Sequence, residues 1–263
     1  MKLFALLKII SLITCTLLAY SMYAVGLLYI KLSGKHFERW RNQCMRVWGK
    51  ASARILSMKV EVEGTPPSPP FFLVSNHLSY IDIPMYASVL DTTFISKAEV
   101  KDWPVMGLMA RTLGIIFVDR SRKRDVTRVN KVISEQLNER QGVVLFPEGM
   151  TSPGNDVLRF RPPLLEHPAR EEIDVCYSAI RYETSTGDVP AHHSVCWWGG
   201  TPLHTHMFRL ASNRNITVQI KFGKERINLN DRKLLAEELH DRVKYLFIPV
   251  VDKEQKEFEP LKF

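Results

Sequence analysis

The sequence predicts an α/β domain with a mainly parallel or mixed sheet flanked by helices, preceded by a membrane helix and an amphipathic helix. Two observations predict this fold class. Strand-like and helix-like segments alternate from residue 71 onward, and an uncharged run of 22 residues, 9–30, lies near the N-terminus. The 263 residues suffice for one good-sized domain plus an appendage. We therefore divide the chain into an anchor, 1–58, and an α/β domain, 59–263.

The uncharged run is long enough for a helix to cross a bilayer core of about 30 Å. A secretory signal is the competing interpretation, but its apolar region usually spans only about 7–15 residues. The sequence leaves open whether the helix spans the membrane or makes a shallow re-entrant entry. More basic residues follow the run than precede it, which predicts that the remainder of the chain lies on the cytoplasmic side.

Apolar residues recur at helical spacing from Phe37 to Ile55, and the opposite face carries Arg39, Arg46, Lys50 and Arg54. This pattern predicts an amphipathic helix. One interpretation places it in the lipid headgroup layer with its tryptophans at the interface. The other packs it on the core of the domain with a solvated basic face, and both interpretations stay open.

After a short proline-rich connector at 65–70, the hydrophobic pattern predicts the strands and helices of the domain. The predicted strands are 71–75, 93–96, 115–118, 143–146, 174–181, 194–198 and 216–222. The predicted helices are 83–90, 103–112, 124–139, 202–212 and 231–246.

The net charge of +8 and the pI near 9.3 favour an anionic partner, such as a membrane surface or a phosphate compound. We expect no nucleic acid partner, because the basic run at 120–124 is short and has no interleaved aromatic residues. The four cysteines form no CxxC pair, so neither a disulfide framework nor a zinc site is expected. The histidine pairs at 192–193 and at 204 and 206 have no nearby acidic or cysteine ligand, so we expect no metal.

A histidine and an aspartate follow the first buried strand of the domain. His77 and Asp82 are five residues apart, an offset that would turn them about 140° away from each other on one helix. They meet only if His77 lies in the turn after the strand and Asp82 opens the next helix, as Pro84 suggests. The imidazole then acts as a general base held by the carboxylate. The alternative is an ordinary helix cap and a turn histidine.

Three later strands also deliver polar groups at their carboxyl ends, the edge where open α/β sheets build active sites. Arg120 is a candidate clamp for phosphate oxygens, and Lys97 is either a second cationic contact or an ordinary surface lysine. Gly149 permits close approach of the backbone to a ligand, and Glu148 is placed to accept hydrogen bonds from a hydroxyl group or to orient Arg120. Thr151 is a further candidate for contact with phosphate.

These segments resemble the conserved blocks of the glycerolipid acyltransferase family, typified by lysophosphatidic acid acyltransferases. The resemblance covers roughly residues 70–182, and the blocks match in order and separation. It departs from the family at Met150, where threonine or arginine is common, and at the fourth block, which lacks the usual proline. The matching segments are Asn76, His77 and Asp82; residues 114–120; and residues 146–149 followed by Thr151 and Ser152, with the fourth block at 175–180.

The resemblance implies direct transfer of a fatty acyl group from acyl-CoA or acyl-acyl carrier protein to the hydroxyl of a lysolipid. His77 would be the base and Asp82 its partner, with no cofactor, metal or covalent nucleophile. Phosphatidic acid made from lysophosphatidic acid is the default product. Another lysolipid acceptor, such as a lyso-aminolipid, is the alternative, and the rival from a different class is a non-catalytic membrane protein that binds anionic lipid. The expected substrate-binding residues are Asn76, Lys97, Arg120, Glu148, Gly149 and Thr151.

Overall fold

The computed structural model describes residues 2–33, 36–103, 106–118 and 125–251. It confirms the predicted fold class, a mixed sheet flanked by helices after an apolar N-terminal helix. The helices are α1 (Lys2–Ser33), α2 (Phe37–Ile55), α3 (Asp82–Val89), α4 (Met106–Thr112), α5 (Asp125–Gln136), α6 (Glu166–Arg170), α7 (Ala191–Ser194), α8 (Leu203–Ser212) and α9 (Arg232–Leu246), with 3₁₀ helices at Ala98–Asp102 and Pro162–Leu165. The strands are β1 (Met58–Glu63), β2 (Phe72–Ser75), β3 (Thr92–Lys97), β4 (Ile116–Val118), β5 (Gly142–Leu145), β6 (Val175–Thr184) and β7 (Ile216–Phe222).

The strands form one sheet in the order β1-β7-β6-β2-β5-β3-β4. All neighbouring strands are parallel except β6 and β7, which pair antiparallel. Strand β2 lies at the centre, where every one of its residues is buried. Because β2, β3 and β5 run in the same direction, the segments that leave their carboxyl ends meet at one edge of the sheet.

Two strands differ from the prediction. Strand β1 was missed: it follows α2 after only two residues, and its charged residues interrupt the apolar pattern. The strand predicted at 194–198 is wrong, because 191–194 form helix α7 and a loop follows. Val195 and Cys196 in that loop are buried, and a short apolar run by itself does not distinguish a strand from another buried segment.

The amphipathic helix α2 packs on α3 and contributes Met45, Ala53 and Leu56 to the same hydrophobic core as the sheet. Its basic residues Arg39 and Lys50 point to the exposed side. The predicted anchor and the predicted domain therefore share one core, and the basic face of α2 lies on the outside of it.

Helix α1 is the one described helix that is long and apolar enough to cross a membrane; its most apolar stretch has a mean hydropathy of 2.1 and is 11% buried. It does not project away from the domain. It runs beside α2, where Trp48 donates a hydrogen bond from Nε1 to Thr16 Oγ1 (3.0 Å) and Trp40 donates one to Tyr23 O (3.2 Å). Its first turns pack against α8.

A buried lysine fastens the beginning of α1 to the domain. The Nζ atom of Lys8 lies 2.7 Å from Asn213 O and 3.4 Å from Leu56 O, and the residue is 6% exposed. Leu56 and Asn213 are the C-caps of α2 and α8. Carbonyl groups at helix carboxyl ends carry partial negative charge, so a cation there is favourable. Lys8 therefore ties three helices together.

We expect Lys8→Met to lower the free energy of unfolding by about 1–3 kcal/mol, because two carbonyl groups lose a charged donor while the apolar volume is kept. Thermal unfolding of the purified protein in detergent measures the change. The matched control is Lys2→Met, which removes an exposed lysine from the same helix and leaves the melting temperature unchanged. Equal melting temperatures for the Lys8 variant and the wild type would contradict this role.

Candidate active site

The structure brings His77 and Asp82 together at the carboxyl edge of the sheet. His77 lies in the turn after β2, Asp82 opens α3, and the distance from His77 Nδ1 to Asp82 Oδ2 is 2.7 Å. Because the carboxylate accepts this bond, Nδ1 carries the proton and Nε2 is the ring nitrogen with a lone pair. The His77 side chain is 19% exposed and that of Asp82 is fully buried. This geometry suits a general base and its orienting acid.

The Asp82 carboxylate is surrounded by donors. Its Oδ2 atom also accepts the backbone N–H groups of Leu78 (2.8 Å) and Ser79 (3.1 Å), while Oδ1 accepts the Tyr182 hydroxyl at 2.6 Å. The two amide bonds fold the turn back on the first residue of α3, and this folding is what brings His77 next to Asp82. A buried carboxylate needs such donors because it has lost its water.

A cavity of 270 Å³ opens beside the histidine. The His77 ring stacks on Phe146 with a centroid distance of 4.2 Å. Three further aromatic side chains line the cavity and contact each other edge to face: Tyr80 against Trp197, and Trp197 against Trp103. The lining is completed by Ile83, Ile95, Ser96, Lys97, Val100, Gly149, Met150 and Thr151. A mostly apolar cavity with a few polar groups is typical of a small-molecule site.

The loop after β5 is fixed to the histidine turn. Gly149 has φ of 75°, a conformation that side-chain-bearing residues rarely adopt, and it closes a turn through a bond from its N–H to Phe146 O at 3.1 Å. Ser152 N–H then donates to His77 O at 3.1 Å, and Thr151 Oγ1 donates to Trp197 O. Gly149 and Thr151, two of the predicted substrate-binding residues, therefore line the cavity, and so does Lys97 at the end of β3.

Two predicted substrate-binding residues, Asn76 and Glu148, lie away from the lining of this cavity. Asn76 is 1% exposed, and its amide donates to Ile180 O (2.9 Å) and accepts from Ile180 N (2.8 Å). It extends the pairing of β2 with β6 in the manner of a backbone group. Glu148 is 1% exposed, and its Oε1 accepts the N–H of His77 at 3.3 Å. Both residues support the turn that holds His77.

Burial raises the pKa of Glu148 well above its ordinary value, and the nearby charge of Asp82 adds to this effect. Its Oε2 atom has no hydrogen-bond partner among the described residues. The carboxyl group therefore keeps its proton more readily than an exposed glutamate does. Arg120, the predicted anion clamp and the predicted partner of Glu148, lies outside the described residues, as does the rest of 119–124.

Sequence reasoning did not identify Tyr182, Tyr80 or Trp103 as parts of the site. Tyr182 follows the fourth block on β6, but no local pattern indicates that it meets Asp82. Trp197 belongs to a Trp-Trp pair for which the sequence favours packing in the core over lining a groove, and the structure places it in the cavity wall. Only the topology of the sheet brings these residues together.

His206 packs against Tyr80 and Trp197 of the cavity wall. His206 lies with Nδ1 3.1 Å from the Tyr80 hydroxyl and Nε2 3.1 Å from Cys196 O, and burial lowers its pKa to about 4. Among the described residues, no group of three or more His, Cys, Asp or Glu is placed to hold a metal ion. The four cysteines are free thiols.

Comparison with known proteins gives three concordant results. The family model described as Acyltransferase matches residues 58–170. A 1-acyl-sn-glycerol-3-phosphate acyltransferase of Neisseria gonorrhoeae is 32% identical over 184 residues, covering 69% of this chain and 71% of the relative. A lyso-ornithine lipid O-acyltransferase of Brucella abortus (strain 2308) is 30% identical over 250 residues, covering 90% of this chain and 93% of the relative.

The fold has a counterpart among solved structures. The crystal structure of the 1-acyl-sn-glycerophosphate acyltransferase PlsC from Thermotoga maritima aligns with a TM-score of 0.59 over 91% of this chain and 97% of that one. The sequence identity is 21%, so this likeness concerns the fold.

We expect Glu148→Gln to weaken the dependence of stability on pH. The raised pKa means that the folded protein binds this proton more tightly than the unfolded chain. The resulting stabilisation is complete below the unfolded value near 4.5 and is lost as the pH rises through the folded value. Glutamine accepts the same N–H without titrating, so unfolding free energies of the variant should fall less between about pH 5 and 8.

Denaturant titrations at several pH values measure this difference. The control is Glu237→Gln, an exposed position on α9, which should follow the wild-type curve. A Glu148→Gln curve parallel to that of the wild type would show that the buried carboxyl group does not hold its proton in the folded state.

Proposed function

This chain belongs to the glycerolipid acyltransferase family, and on that premise we propose that it transfers a fatty acyl group from a thioester to the hydroxyl of a lysolipid. The observation that carries the proposal is the 2.7 Å contact between His77 and Asp82 at the rim of an apolar cavity. The same contact argues against a protein that only binds anionic lipid, because lipid binding does not require an oriented imidazole.

In the proposed reaction, Nε2 of His77 takes the proton from the acceptor hydroxyl while Asp82 holds Nδ1–H and stabilises the imidazolium. The acceptor oxygen attacks the thioester carbonyl carbon and forms a tetrahedral oxyanion. The C–S bond then breaks, the new C–O ester bond remains, and the imidazolium returns its proton to the departing sulfur. Each protonation change occurs on His77, so the proton transfers need no group other than this pair.

The oxyanion needs preorganised donors, and we assign the backbone N–H groups of Met150 and Thr151 to this role. Both residues line the cavity beside His77. Among the described residues, neither amide donates to an acceptor, whereas the flanking amides of Gly149 and Ser152 do. The positive φ of Gly149 and the bond from Ser152 to His77 O hold the two amides in place.

Lysophosphatidic acid is the first acceptor that we propose, with acyl-CoA or acyl-acyl carrier protein as the donor. The Neisseria relative supports this acceptor, and Lys97 in the cavity wall supplies a positive charge suited to a phosphate group. A lyso-aminolipid is the second candidate. It is favoured by the Brucella lyso-ornithine lipid acyltransferase, which aligns over 90% of this chain.

We expect the purified protein in detergent to transfer labelled acyl groups to one of these two acceptors. His77→Ala should lower the rate by about 10³-fold because the base is lost. Asp82→Asn should lower it by about 10³–10⁴-fold because an amide at this position favours the wrong imidazole tautomer. Chromatographic separation of the lipid products, with each donor and each acceptor in turn, measures these rates.

Membrane association and melting temperature are the controls, and both should match the wild type in the His77 variant. Turnover that survives the removal of His77 would exclude this residue as the base. A wild-type protein without turnover for any donor and acceptor pair would favour the lipid-binding alternative.

We also propose that α1 lies in the plane of one leaflet, with the domain on the cytoplasmic side. Lys8 fastens its beginning to the domain, and Trp40 and Trp48 of α2 bond to its middle. The helix is about 48 Å long and stays beside the domain instead of leaving it. Its outward face is apolar, with Leu3, Leu7, Ile10, Leu17, Leu18, Val25 and Leu28 exposed.

The topology has a direct test. An N-terminal epitope tag should be digested by protease in inverted inner-membrane vesicles together with a C-terminal tag, because a helix in one leaflet leaves both ends on the same side. Intact cells with a permeabilised outer membrane are the control, in which both tags should be protected. Protection of the N-terminal tag alone in the inverted vesicles would establish a spanning helix.

A further inference from the structure

We infer that Tyr182 is a positioning residue for the His77–Asp82 pair: its hydroxyl group fixes the second oxygen of the Asp82 carboxylate and thereby sets the orientation and basicity of the imidazole. This inference rests on the proposed function, since it concerns the same reaction. It gives β6 an indirect role in the reaction, although no residue of this strand lines the cavity.

The argument begins with the two oxygens of Asp82. Oδ2 receives three donors, from His77, Leu78 and Ser79, at 2.7–3.1 Å. Oδ1 receives one donor, the Tyr182 hydroxyl, at 2.6 Å. The carboxylate is fully buried, so no water replaces this bond when it is removed. Tyr182 therefore supplies the hydrogen bond that Oδ1 needs, and this bond fixes the plane of the carboxylate.

The second step is the place of Tyr182 in the sheet. Strand β6 pairs with β2 as far as the match of Ser75 with Ser178, and Tyr182 lies four residues further along β6. It therefore stands beyond the carboxyl end of β2, level with the turn that carries His77. The residue is 1% exposed and does not line the cavity, so it acts through Asp82 and not on a substrate.

The third step is protonation. Burial and the charge of Asp82 raise the pKa of Tyr182 well above its ordinary value, so the hydroxyl stays a donor. The other titratable groups near Asp82 are Tyr86 on α3, Glu148 after β5 and Cys196 after α7. Burial raises the pKa of each group and so favours its uncharged form. Tyr182 is therefore the donor that stabilises the negative charge on Oδ1 of Asp82.

Removal of this donor leaves more negative charge facing the imidazole and frees the carboxylate to rotate. The pair then holds its proton more tightly, and a base that is already protonated accepts no proton from the acceptor hydroxyl. The rate should fall, and the pH at which activity appears should move upward. A purely structural role for the tyrosine would lower stability without this shift.

The test compares two buried tyrosines. Tyr182→Phe keeps the ring and removes the hydroxyl on Asp82. The matched control is Tyr86→Phe, which removes an equally buried hydroxyl that bonds to Ser75 Oγ (2.6 Å) and Ser178 Oγ (2.8 Å). Melting temperatures, kcat, acceptor KM and the pH profile of kcat/KM are measured for both variants.

We expect Tyr182→Phe to lower kcat by about 10- to 100-fold, as for one hydrogen bond to a charged group, with acceptor KM unchanged. The acidic limb of its pH profile should move to higher pH. Tyr86→Phe should keep the wild-type kcat and profile at a similar loss of melting temperature. Wild-type kinetics for Tyr182→Phe, or equal losses in both variants without a shift of the acidic limb, would overturn the inference.

A second readout separates this inference from the proposed function. In protein labelled with ¹⁵N-histidine, the imidazole signals of His77 report its protonation without turnover, and the His77→Ala spectrum identifies them among the eight histidines. Tyr182→Phe should raise the pH midpoint of these signals, whereas Tyr86→Phe should not. An inactive wild type would refute the proposed function and leave this titration intact, and an unshifted titration would refute the role of Tyr182.

Discussion

The carboxylate of Asp82 lies in the interior with no exposure to water, and a charge there is tolerated only when donors surround it. There are four such donors: the imidazole of His77, two amides of the following turn and the hydroxyl of a tyrosine on β6. The hydrogen bonds that stabilise this one charge therefore also fold the turn and fix the beginning of α3. They join this helix to the sheet and orient the imidazole. The requirement to solvate a buried anion and the requirement to orient a base are met by the same set of contacts.

Around this centre, Asn76 and Glu148 support the turn and do not line the cavity. Asn76 continues the ladder between β2 and β6, and Glu148 accepts the N–H of His77. The loop after β5 returns to the turn through Ser152. The histidine is thus held from the side of α3, from β6 and from the loop after β5. A base held from three sides loses little orientation when a substrate enters.

The pairing of His77 with Asp82 was predictable because their spacing permits a meeting only across a strand-to-helix turn, and Pro84 indicates where that helix begins. The alternating pattern similarly predicted most strands and the mixed sheet. The roles of Asn76 and Glu148 were not predictable, because sequence shows that a polar residue follows a strand but not whether it faces the cavity or the neighbouring strand. Tyr182 lies 100 positions from its partner, and only the order of strands brings the two into contact. The strand predicted at 194–198 is wrong for a similar reason, because a buried loop and a buried strand both give an apolar run in the sequence.

Lys8 fastens α1 to the domain, so the exposed apolar face of α1 and the cavity lie on the same packed body. If α1 lies in one leaflet as proposed, the enzyme meets its acceptor by lateral diffusion within the bilayer, and the concentration that matters is the two-dimensional density of acceptor molecules. Diluting that sheet with inert lipid slows the reaction even when the amount of acceptor per millilitre is constant. The catalytic rate then depends on the lipid composition of the membrane, because Lys8 keeps the apolar helix beside the active-site domain.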